Sequence, residues 1–541
     1  MHTIQGIIID VVNRRQFPGT VTFENGRITS ITEDDTVTTE QLILPGFVDA
    51  HIHIESSMLV PSAFARLAVR HGTVATVSDP HEIANVCGKA GVDFMIENSK
   101  RVPLKFYFGA PSCVPATPFE TAGAELDVDD VCDLLDREEI NHLAEMMNWP
   151  GVLNGDETVK AKIRAALDRG KPVDGHAPGL KGDKAAKYAG AGISTDHECY
   201  TEEEAIDKLK HGMKIAIREG SAAKNYDALV ALLSDYAGDI MFCSDDKHPD
   251  DLVEGHINEL AARTLARGHN LFDTLEACSV TPVQHYGLDV GLLRESDPAD
   301  FVVLDDLQAM NIRQTWIEGQ CVFDDGAFHI PDVEVEPINR FVSYRCEPED
   351  FVVEGTQEER HPVIVAHDGQ LITGKSHERL PERNGRLQPD PSRDILKVAV
   401  VNRYGKTNPS VAFIKNFGIR EGAIASSVAH DSHNVIAVGS SDAYLSRAVN
   451  LVMEQKGGLS AVSADSAEVL PLPIAGLMSD RPGEEVAAHY EKLSRMARAM
   501  GSELASPFML ISFMALLVIP SLKISDRGLF DAENFTFVDR S

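Results

Sequence analysis

Short apolar strands alternate with helix-like stretches through the middle of this chain, and this alternation restricts its fold more than any other feature. Strand and helix in alternation predict a parallel sheet, and about eight such units predict a barrel of roughly 250 residues. Helices are predicted at residues 61–70, 156–169 and 202–211. After an apolar run that ends at Ala50, we predict strands at residues 72–78, 106–110, 151–154, 172–175, 193–195, 214–217 and 240–243. The expected fold class is α/β, with a (β/α)₈ barrel.

The sequence pattern on both flanks of this central region predicts a small β domain. Residues 4–44 contain β-rich runs broken by Asn25-Gly26, a dipeptide typical of hairpin turns, and similar runs return at residues 299–304 and 315–322. Residues 347–393 are polar and are predicted to be an irregular connector that could include strands. We therefore predict one small β domain built from residues 1–45 and 299–345, the barrel at 46–298, and a C-terminal α/β domain at 346–541.

The charge of the chain argues against a polyanionic partner. With 541 residues and a net charge of −33, the protein would repel phosphate backbones, so no nucleic-acid partner is expected. An acidic excess also keeps proteins soluble in concentrated salt, so a saline cytoplasm is one hypothesis, but an ordinary acidic bacterial protein is the favoured explanation. Residues 508–519 are apolar, but these twelve residues fall short of the roughly 20 that cross a bilayer, so we predict a buried helix or strand and no membrane partner.

The cysteines and the N-terminus indicate a reducing compartment. The eight cysteines stand singly with no CxxC pair, which favours free thiols over a disulfide framework or a cysteine-built zinc site. The N-terminal residues lack a basic patch followed by a long apolar core, so no secretory signal is expected. The protein is predicted to be cytoplasmic.

Metal-compatible side chains follow several of the predicted barrel strands. His51 and His53 alternate along the first strand, so their imidazoles share one face, although such pairs also occur by chance on exposed strands. Glu145 lies near the fourth strand, His176 and His197 follow the fifth and sixth, and Asp245 follows the last. Barrel active sites gather at the carboxyl ends of the strands, and imidazole with carboxylate suits zinc, manganese or iron. Their joint placement predicts a metal centre.

Motifs along essentially the whole chain resemble those of the adenine deaminase family, within the amidohydrolase superfamily. The motifs that carry the resemblance are LPGFVDAHIHIESS at 44–57, SDPHEIANV at 78–86, EMMNWPGV at 145–152, DGHAPG at 174–179, TDHE at 195–198, IREGS at 217–221, CSDDKHPDDL at 243–252, VAHDSHN at 428–434 and GGL at 457–459. The resemblance implies hydrolytic deamination of adenine to hypoxanthine and ammonia by a metal-activated hydroxide, as a step of purine salvage. It also implies that residues 346–541 form a family-specific domain.

The same resemblance implies a two-metal centre with Glu145 as the bridge and Asp245 as a group that takes and returns a proton. The expected ions are Mn²⁺, with Fe²⁺ or Zn²⁺ as alternatives. No expected ligand is missing from the sequence. The implied ligands are His51, His53, Glu145, His176, His197 and Asp245.

Further polar residues near the predicted strand ends have two interpretations each. Asp79 and Glu82 would share one side of a helical turn at the mouth of the barrel, where one of them would shuttle protons. Alternatively, Asp79 would cap that helix while Glu82 favours its dipole. Glu219 and Ser221 would bind the purine edge, or they belong to a solvated loop.

Four further histidines are weaker candidates for the site. His81 and His248 lie close to the same strand ends. For His430 and His433 a structural role in the C-terminal domain is the favoured interpretation, because nothing in the sequence shows that this domain reaches the site.

Alternative functions remain open at this point. The metal ligands alone would also fit a cyclic amidase or an N-acetyl-sugar deacetylase, and an N6-substituted adenine is a nearer alternative substrate. A catalytically silent scaffold should have lost ligands, and this chain keeps all six. We expect a small-molecule purine base as the partner and a homo-oligomeric assembly, although the sequence itself does not indicate the number of subunits.

Overall fold

Eight parallel strands, separated by helices, form a TIM-like barrel at the centre of the computed structural model, which describes residues 1–538. Hydrogen bonds order the first five strands as one sheet and the last three as another. The amide of Ser194 donates to the carbonyl of Val173 at 2.9 Å, and a parallel bridge pairs Ile52 with Asp245, so strands 5 and 6 and strands 8 and 1 also meet. Barrel strands 1 to 8 are Phe47–Ile52, Thr73–Ser78, Lys105–Ala110, Ile140–Met146, Val173–Gly175, Thr195–Asp196, Lys214–Arg218 and Ile240–Cys243.

The helices of this region cover the outside of the barrel or follow its strand ends, and all three predicted helices are confirmed to within two residues. The α-helices are Pro61–Arg70, His81–Cys87, Lys89–Ser99, Val128–Leu135, Trp149–Asn154, Glu157–Leu167, Gly182–Gly190, Glu202–Lys210, Tyr226–Leu229, Leu233–Tyr236, Pro249–Glu254, Ile257–Ala266, Leu271–Leu275 and Thr281–Tyr286. Short 3₁₀ turns occupy Ile54–Ser57, Val230–Leu232 and Ala237–Asp239, and Glu276–Val280 is a π-helical turn.

The strand predicted at residues 151–154 is wrong. These residues belong to the helix Trp149–Asn154, which the side chain of Asn148 caps by accepting a hydrogen bond from the amide of Gly151 at 2.9 Å. Pro150 in the first turn also favours a helix start. The fourth barrel strand is Ile140–Met146, so Glu145 lies on the strand itself.

The two predicted flanks form one sheet beside the barrel. Asn25 and Gly26 make the predicted hairpin turn with φ of 51° and 80°, as a type I′ turn requires. Rings of Phe23, Phe301 and Trp316 pack against one another and join the N-terminal and later strands. In spatial order the strands are Ala327–Phe328, Gln320–Asp324, Ile312–Ile317, Phe301–Leu304, Leu42–Pro45, His2–Asp10, Arg15–Glu24 and Arg27–Glu33.

The C-terminal region contains a second eight-stranded sheet, mostly antiparallel, with helices Asp442–Gln455, Gly483–Ala499 and Pro507–Phe513. Two of its strands lie within the predicted connector. In spatial order they are Gly374–Glu378, His361–Val365, Ser410–Lys415, Ile395–Val401, Val435–Gly439, Ala423–Ser426, Gly458–Val462 and Ala467–Pro471. Two small sheets consist of Val353–Glu354, Arg386–Leu387 and Glu382–Arg383, and of Leu522–Ser525, Gly528–Asp531 and Thr536–Phe537, while Pro348–Phe351 and Pro391–Arg393 are 3₁₀ turns.

This C-terminal region packs against the carboxyl ends of the barrel strands. The amide of Ser479 donates to the carbonyl of Met58 at 2.8 Å, and the side chain of Asn434 donates to the carbonyl of Thr121 at 2.8 Å. The apolar segment near residue 510 is a buried helix, as predicted. Across residues 1–538, none of the helices combines the length and the apolar character needed to span a membrane.

Candidate metal centre and active site

His51 and His53 converge at the carboxyl end of barrel strand 1. Their Nε2 atoms lie 3.2 Å apart, while Ile52 between them is buried in the core. Nδ1 of His53 lies 3.1 Å from the carbonyl oxygen of Asp79. Because a carbonyl can only accept, that contact places the ring proton on Nδ1 and leaves Nε2 free to bind a cation.

Glu145 lies between this histidine pair and a second one. Its Oε1 is 3.4 Å from Nε2 of His53, and its Oε2 is 2.7 Å from Nδ1 of His176 and 3.2 Å from Nε2 of His197. One carboxylate oxygen therefore faces each pair, which is the arrangement needed to bridge two cations.

Asp245 follows strand 8 and faces the first pair from the opposite side. Its Oδ1 lies 3.4 Å from Nε2 of His51 and 3.1 Å from Nε2 of His53, and its Oδ2 accepts a hydrogen bond from the buried guanidinium of Arg218 at 2.7 Å. Burial alone would raise the pKa of Asp245, but Arg218 and the two imidazoles outweigh burial and hold that pKa well below its ordinary value. Arg218 also pairs with Glu198. Asp245 is thus kept ionised and fixed in orientation.

The donor set fits divalent metal ions. All six predicted ligands are buried, and their nitrogen and oxygen atoms form overlapping groups, such as His51, His53 and Asp245, whose ligand atoms lie within 4.8 Å of one another. Nε2 of His176 has no hydrogen-bond partner within residues 1–538. Four imidazoles around two buried carboxylates suit zinc, manganese or iron.

Glu82 connects this centre to the C-terminal region. It lies in the first turn of the helix that follows strand 2, and its Oε1 accepts from Nδ1 of His430 at 2.5 Å while its Oε2 accepts from Nε2 of His433. The amide of Ala429 donates to Nδ1 of His433 at 3.2 Å, so the proton of that ring is on Nε2. The expectation that these histidines serve the C-terminal domain alone is therefore wrong.

The two histidines that contact Glu82 differ in charge. Burial would lower the pKa of His430, but Glu82 and Asp246 raise it to about 9, whereas burial lowers the pKa of His433 to about 4. Burial would raise the pKa of Glu82, yet the surrounding imidazoles hold it well below its ordinary value. The carboxylate thus lies between a cationic and a neutral imidazole.

Asp79 lies beside both the start of this helix and the ring of His81. Its Oδ1 accepts from the amide of His81 at 3.0 Å, at the start of the helix, while its Oδ2 lies 3.1 Å from Nδ1 of the same ring. That ring lies 3.6 Å from Oε1 of Glu145 and 3.5 Å from Oε1 of Glu82. His81 therefore connects the ligand cluster to Glu82.

The structure does not bring Glu219 and Ser221 to the cluster. Glu219 accepts from Arg263 at 2.6 Å, and Ser221 donates to Asp251 at 2.5 Å. The ring of His248 contacts the hydroxyl of Tyr490 at 2.7 Å. Side chains alternate at the end of strand 7, so Arg218 points inward and its neighbour points away. Arg218 is the residue that sequence reasoning missed at this position, although a basic side chain ending an apolar strand was the available signal.

A cavity of about 30 Å³ lies over the cluster, and both parts of the chain line it. The lining residues are His53, His81, Glu82, Glu145, Met147, His176, His197, Glu198, Asp245 and Asp246 from the barrel, and Leu371, His430, Asp431, Phe513 and Leu516 from the C-terminal region.

Two family models match separate parts of the chain. A family model described as "Amidohydrolase family" matches residues 42–322, and one described as "Adenine deaminase C-terminal domain" matches residues 370–536. A protein named adenine deaminase from Salinibacter ruber is 56% identical over 99% of this chain and 98% of its own length, and one from Methanosarcina barkeri is 51% identical over 100% and 99%. A solved β-aspartyl dipeptidase from Fervidobacterium islandicum superposes with a TM-score of 0.43 at 15% identity, over 60% of this chain and 98% of that one, which is too distant to bear on substrate. The chain, in which residues of the barrel and of the C-terminal region line one cavity, belongs to the adenine deaminase family of amidohydrolases.

Proposed function

We propose that this protein catalyses the hydrolytic deamination of adenine to hypoxanthine and ammonia, as a step of purine salvage. The observation that carries the proposal is the shared cavity, in which buried side chains that could hold a metal ion, Asp245 among them, lie beside a further acid–base group, Glu82. Full-length similarity to proteins named adenine deaminase supports the choice of substrate.

His51, His53, Glu145, His176, His197 and Asp245 would hold two divalent cations, with Glu145 between them. Mn²⁺ is the first choice, and Fe²⁺ or Zn²⁺ are alternatives with the same ligand chemistry. Bound cations would supply the positive charge that draws the pKa of a water molecule toward neutrality.

Two carboxylates divide the proton transfers in this proposal. The reaction forms a bond from a water oxygen to C6 of adenine and breaks the bond from C6 to the amino nitrogen. Of the two protons of that water, one ends on ring N1 and the other on the departing nitrogen, which leaves as ammonia. Asp245, ionised beside Arg218, is suited to take a proton of the attacking water and to return it to the departing nitrogen. Glu82, with the His430 imidazolium at 2.5 Å, is suited to deliver a proton to the ring, and Asp79 would assist through His81.

His430 and His433 act in this scheme as positioning residues. Each imidazole holds one oxygen of Glu82, so the carboxylate can approach a substrate only in the orientation that the C-terminal domain sets. This gives the C-terminal domain a role in catalysis.

We further propose a complete (β/α)₈ barrel flanked by the two predicted domains, with a homo-oligomeric assembly in the cytoplasm. The contacts between strands 5 and 6 and between strands 8 and 1 support closure of the barrel. Light scattering on the purified protein tests the assembly.

The deciding experiment compares adenine, adenosine and N6-methyladenine with metal-reconstituted protein. Ammonia released from adenine alone supports the proposal. Methylamine released faster than ammonia would make an N6-substituted adenine the substrate, and no turnover of any purine, with turnover of a cyclic amide or an N-acetyl sugar, would overturn the proposal.

A further inference from the structure

The catalytic cavity is too small for the proposed substrate in this conformation. A volume of about 30 Å³ has room for about two water molecules, whereas a purine consists of two fused rings. The metal-binding side of the cavity is fixed by barrel strands. The opposite side includes the apolar residues Leu371, Phe513 and Leu516, which we call the roof. The position of the roof therefore sets how much space a substrate finds above the metal-binding side chains.

Two of the three roof residues are tied to a single side chain. The Nζ of Lys523, on the strand Leu522–Ser525, donates to the carbonyl of Leu371 at 2.6 Å and to the carbonyl of Phe513 at 2.9 Å. Phe513 ends the helix Pro507–Phe513, and its carbonyl accepts from the amide of Leu516 at 3.2 Å as well as from Lys523.

Burying a lysine costs free energy that burying an apolar side chain of similar size would not. Lys523 is 0% exposed, and in the described part of the chain its ammonium contacts carbonyls and no carboxylate. Burial lowers the pKa of Lys523 to about 7. The neutral amine still carries two N–H groups, which match the two carbonyls, so the tie persists with or without the charge.

Backbone hydrogen bonds beside Lys523 join the same segments of the chain. The amide of Ile524 donates to the carbonyl of Met514 at 3.0 Å, and the hydroxyl of Thr373 donates to the carbonyl of Leu522 at 2.8 Å. The strand Leu522–Ser525 is thus bonded to both segments that carry the roof.

We propose that Lys523 is a positioning residue that fixes the roof over the catalytic cavity and thereby limits the size of the purine that is accepted. The inference rests on the proposed adenine deaminase function. With the tie removed, the Leu371 and Phe513 segments lose a shared anchor, the cavity opens more easily, and substrate is held less closely to the metal-binding side chains.

The test uses Lys523→Met, which keeps the length of the side chain and removes both donors, and Lys523→Gln, which keeps an N–H₂ group. The matched control is Lys397→Met in the same domain. Lys397 is also 0% exposed, but it donates to the carbonyl of Phe351 at 3.0 Å and to Asp442, and neither lines the cavity.

Three readouts are measured on full-length, metal-loaded protein. Relative to adenine, kcat/KM for N6-methyladenine or 9-methyladenine should rise at least about tenfold in Lys523→Met, a difference of about 1.4 kcal/mol in transition-state energy. KM for adenine should rise more than kcat falls, with metal content unchanged. Hydrogen–deuterium exchange should accelerate at residues 371–373 and 513–519. Lys523→Gln should restore part of each change.

Unchanged exchange in the roof segments together with unchanged selectivity would overturn the inference, as would the same changes in Lys397→Met. If Lys523→Met does not fold, selectivity and exchange in Lys523→Gln decide in the same way. Failure of the proposed function gives a different result, because wild-type protein would then release no ammonia from adenine while the exchange comparison still tests the tie.

Discussion

Replacing Glu82 by glutamine tests the contact through which the C-terminal domain reaches the catalytic cavity. The carboxylate accepts from His430 at one oxygen and from His433 at the other. Glutamine has the same shape but offers one acceptor and one donor. The ring of His433 cannot change tautomer without losing its bond from the Ala429 amide, so the glutamine oxygen should face His433 and its N–H₂ group should face His430.

The size of the effect follows from these contacts. One charge-assisted hydrogen bond is lost, which costs about 1.5–3 kcal/mol of folding free energy. Without the carboxylate charge, the pKa of His430 should fall and the ring should become neutral. Loss of a general acid–base group lowers turnover by about 10²–10⁴-fold, which corresponds to about 2.7–5.4 kcal/mol of activation free energy.

The assay is steady-state ammonia release with adenine, together with metal analysis and denaturant unfolding of Glu82→Gln. The matched control is Glu55→Gln. Glu55 is equally buried, lies outside the cavity lining, and accepts from the amide of Ile83 at 3.2 Å. Burial raises the pKa of Glu55 to about 7, so glutamine resembles its protonated form and should change turnover little.

Full turnover in Glu82→Gln would refute the proton-transfer role. Loss of bound metal in that variant would instead identify Glu82 as a ligand. Equal losses in both variants would show that any change among these buried carboxylates disturbs the site.

Three further predictions concern a proposed metal ligand, the arginine that pairs with Asp245, and the pH dependence of stability. Glu145→Gln should abolish turnover and release metal while circular dichroism stays unchanged, and full turnover would exclude Glu145 as the bridge. Arg218→Met leaves Asp245 and Glu198 buried without their cation and should cost about 3–5 kcal/mol in denaturant unfolding, with partial recovery in Arg218→Lys. The folded-state pKa of His430 is raised to about 9, so its stabilising contribution is complete below pH 6.5 and is lost as pH rises through about 9. The unfolding free energies of wild type and His430→Asn should therefore differ most near pH 6 and converge above pH 9, and a constant difference would contradict the raised pKa.

Local patterns were sufficient for most of the barrel. Alternating side-chain direction along barrel strand 1 predicted that His51 and His53 share a face, and their Nε2 atoms lie 3.2 Å apart. The same reasoning failed at residues 151–154, where a short run of Gly, Val and Leu is compatible with either a strand or a helix. The cap from Asn148 and the adjacent Pro150 decide for a helix.

Which side chains at a strand end point into the barrel could not be predicted in the same way. Arg218 and Glu219 are neighbours, and either could point inward when the sequence is considered alone. The structure turns Arg218 toward Asp245 and Glu219 toward Arg263, because the register of strand 7 is set by its pairing with strands 6 and 8.

Residue type and contacts along single strands were enough to predict which side chains can bind metal and which strand ends carry them. How the domains pack was needed to show that His430 and His433 hold Glu82, across 348 and 351 residues of chain, and that Lys523 ties the two roof segments together. Such contacts arise where separately formed domains pack against each other. No periodicity within either domain encodes which surfaces meet, so the catalytic cavity becomes defined only when the C-terminal domain closes over the barrel.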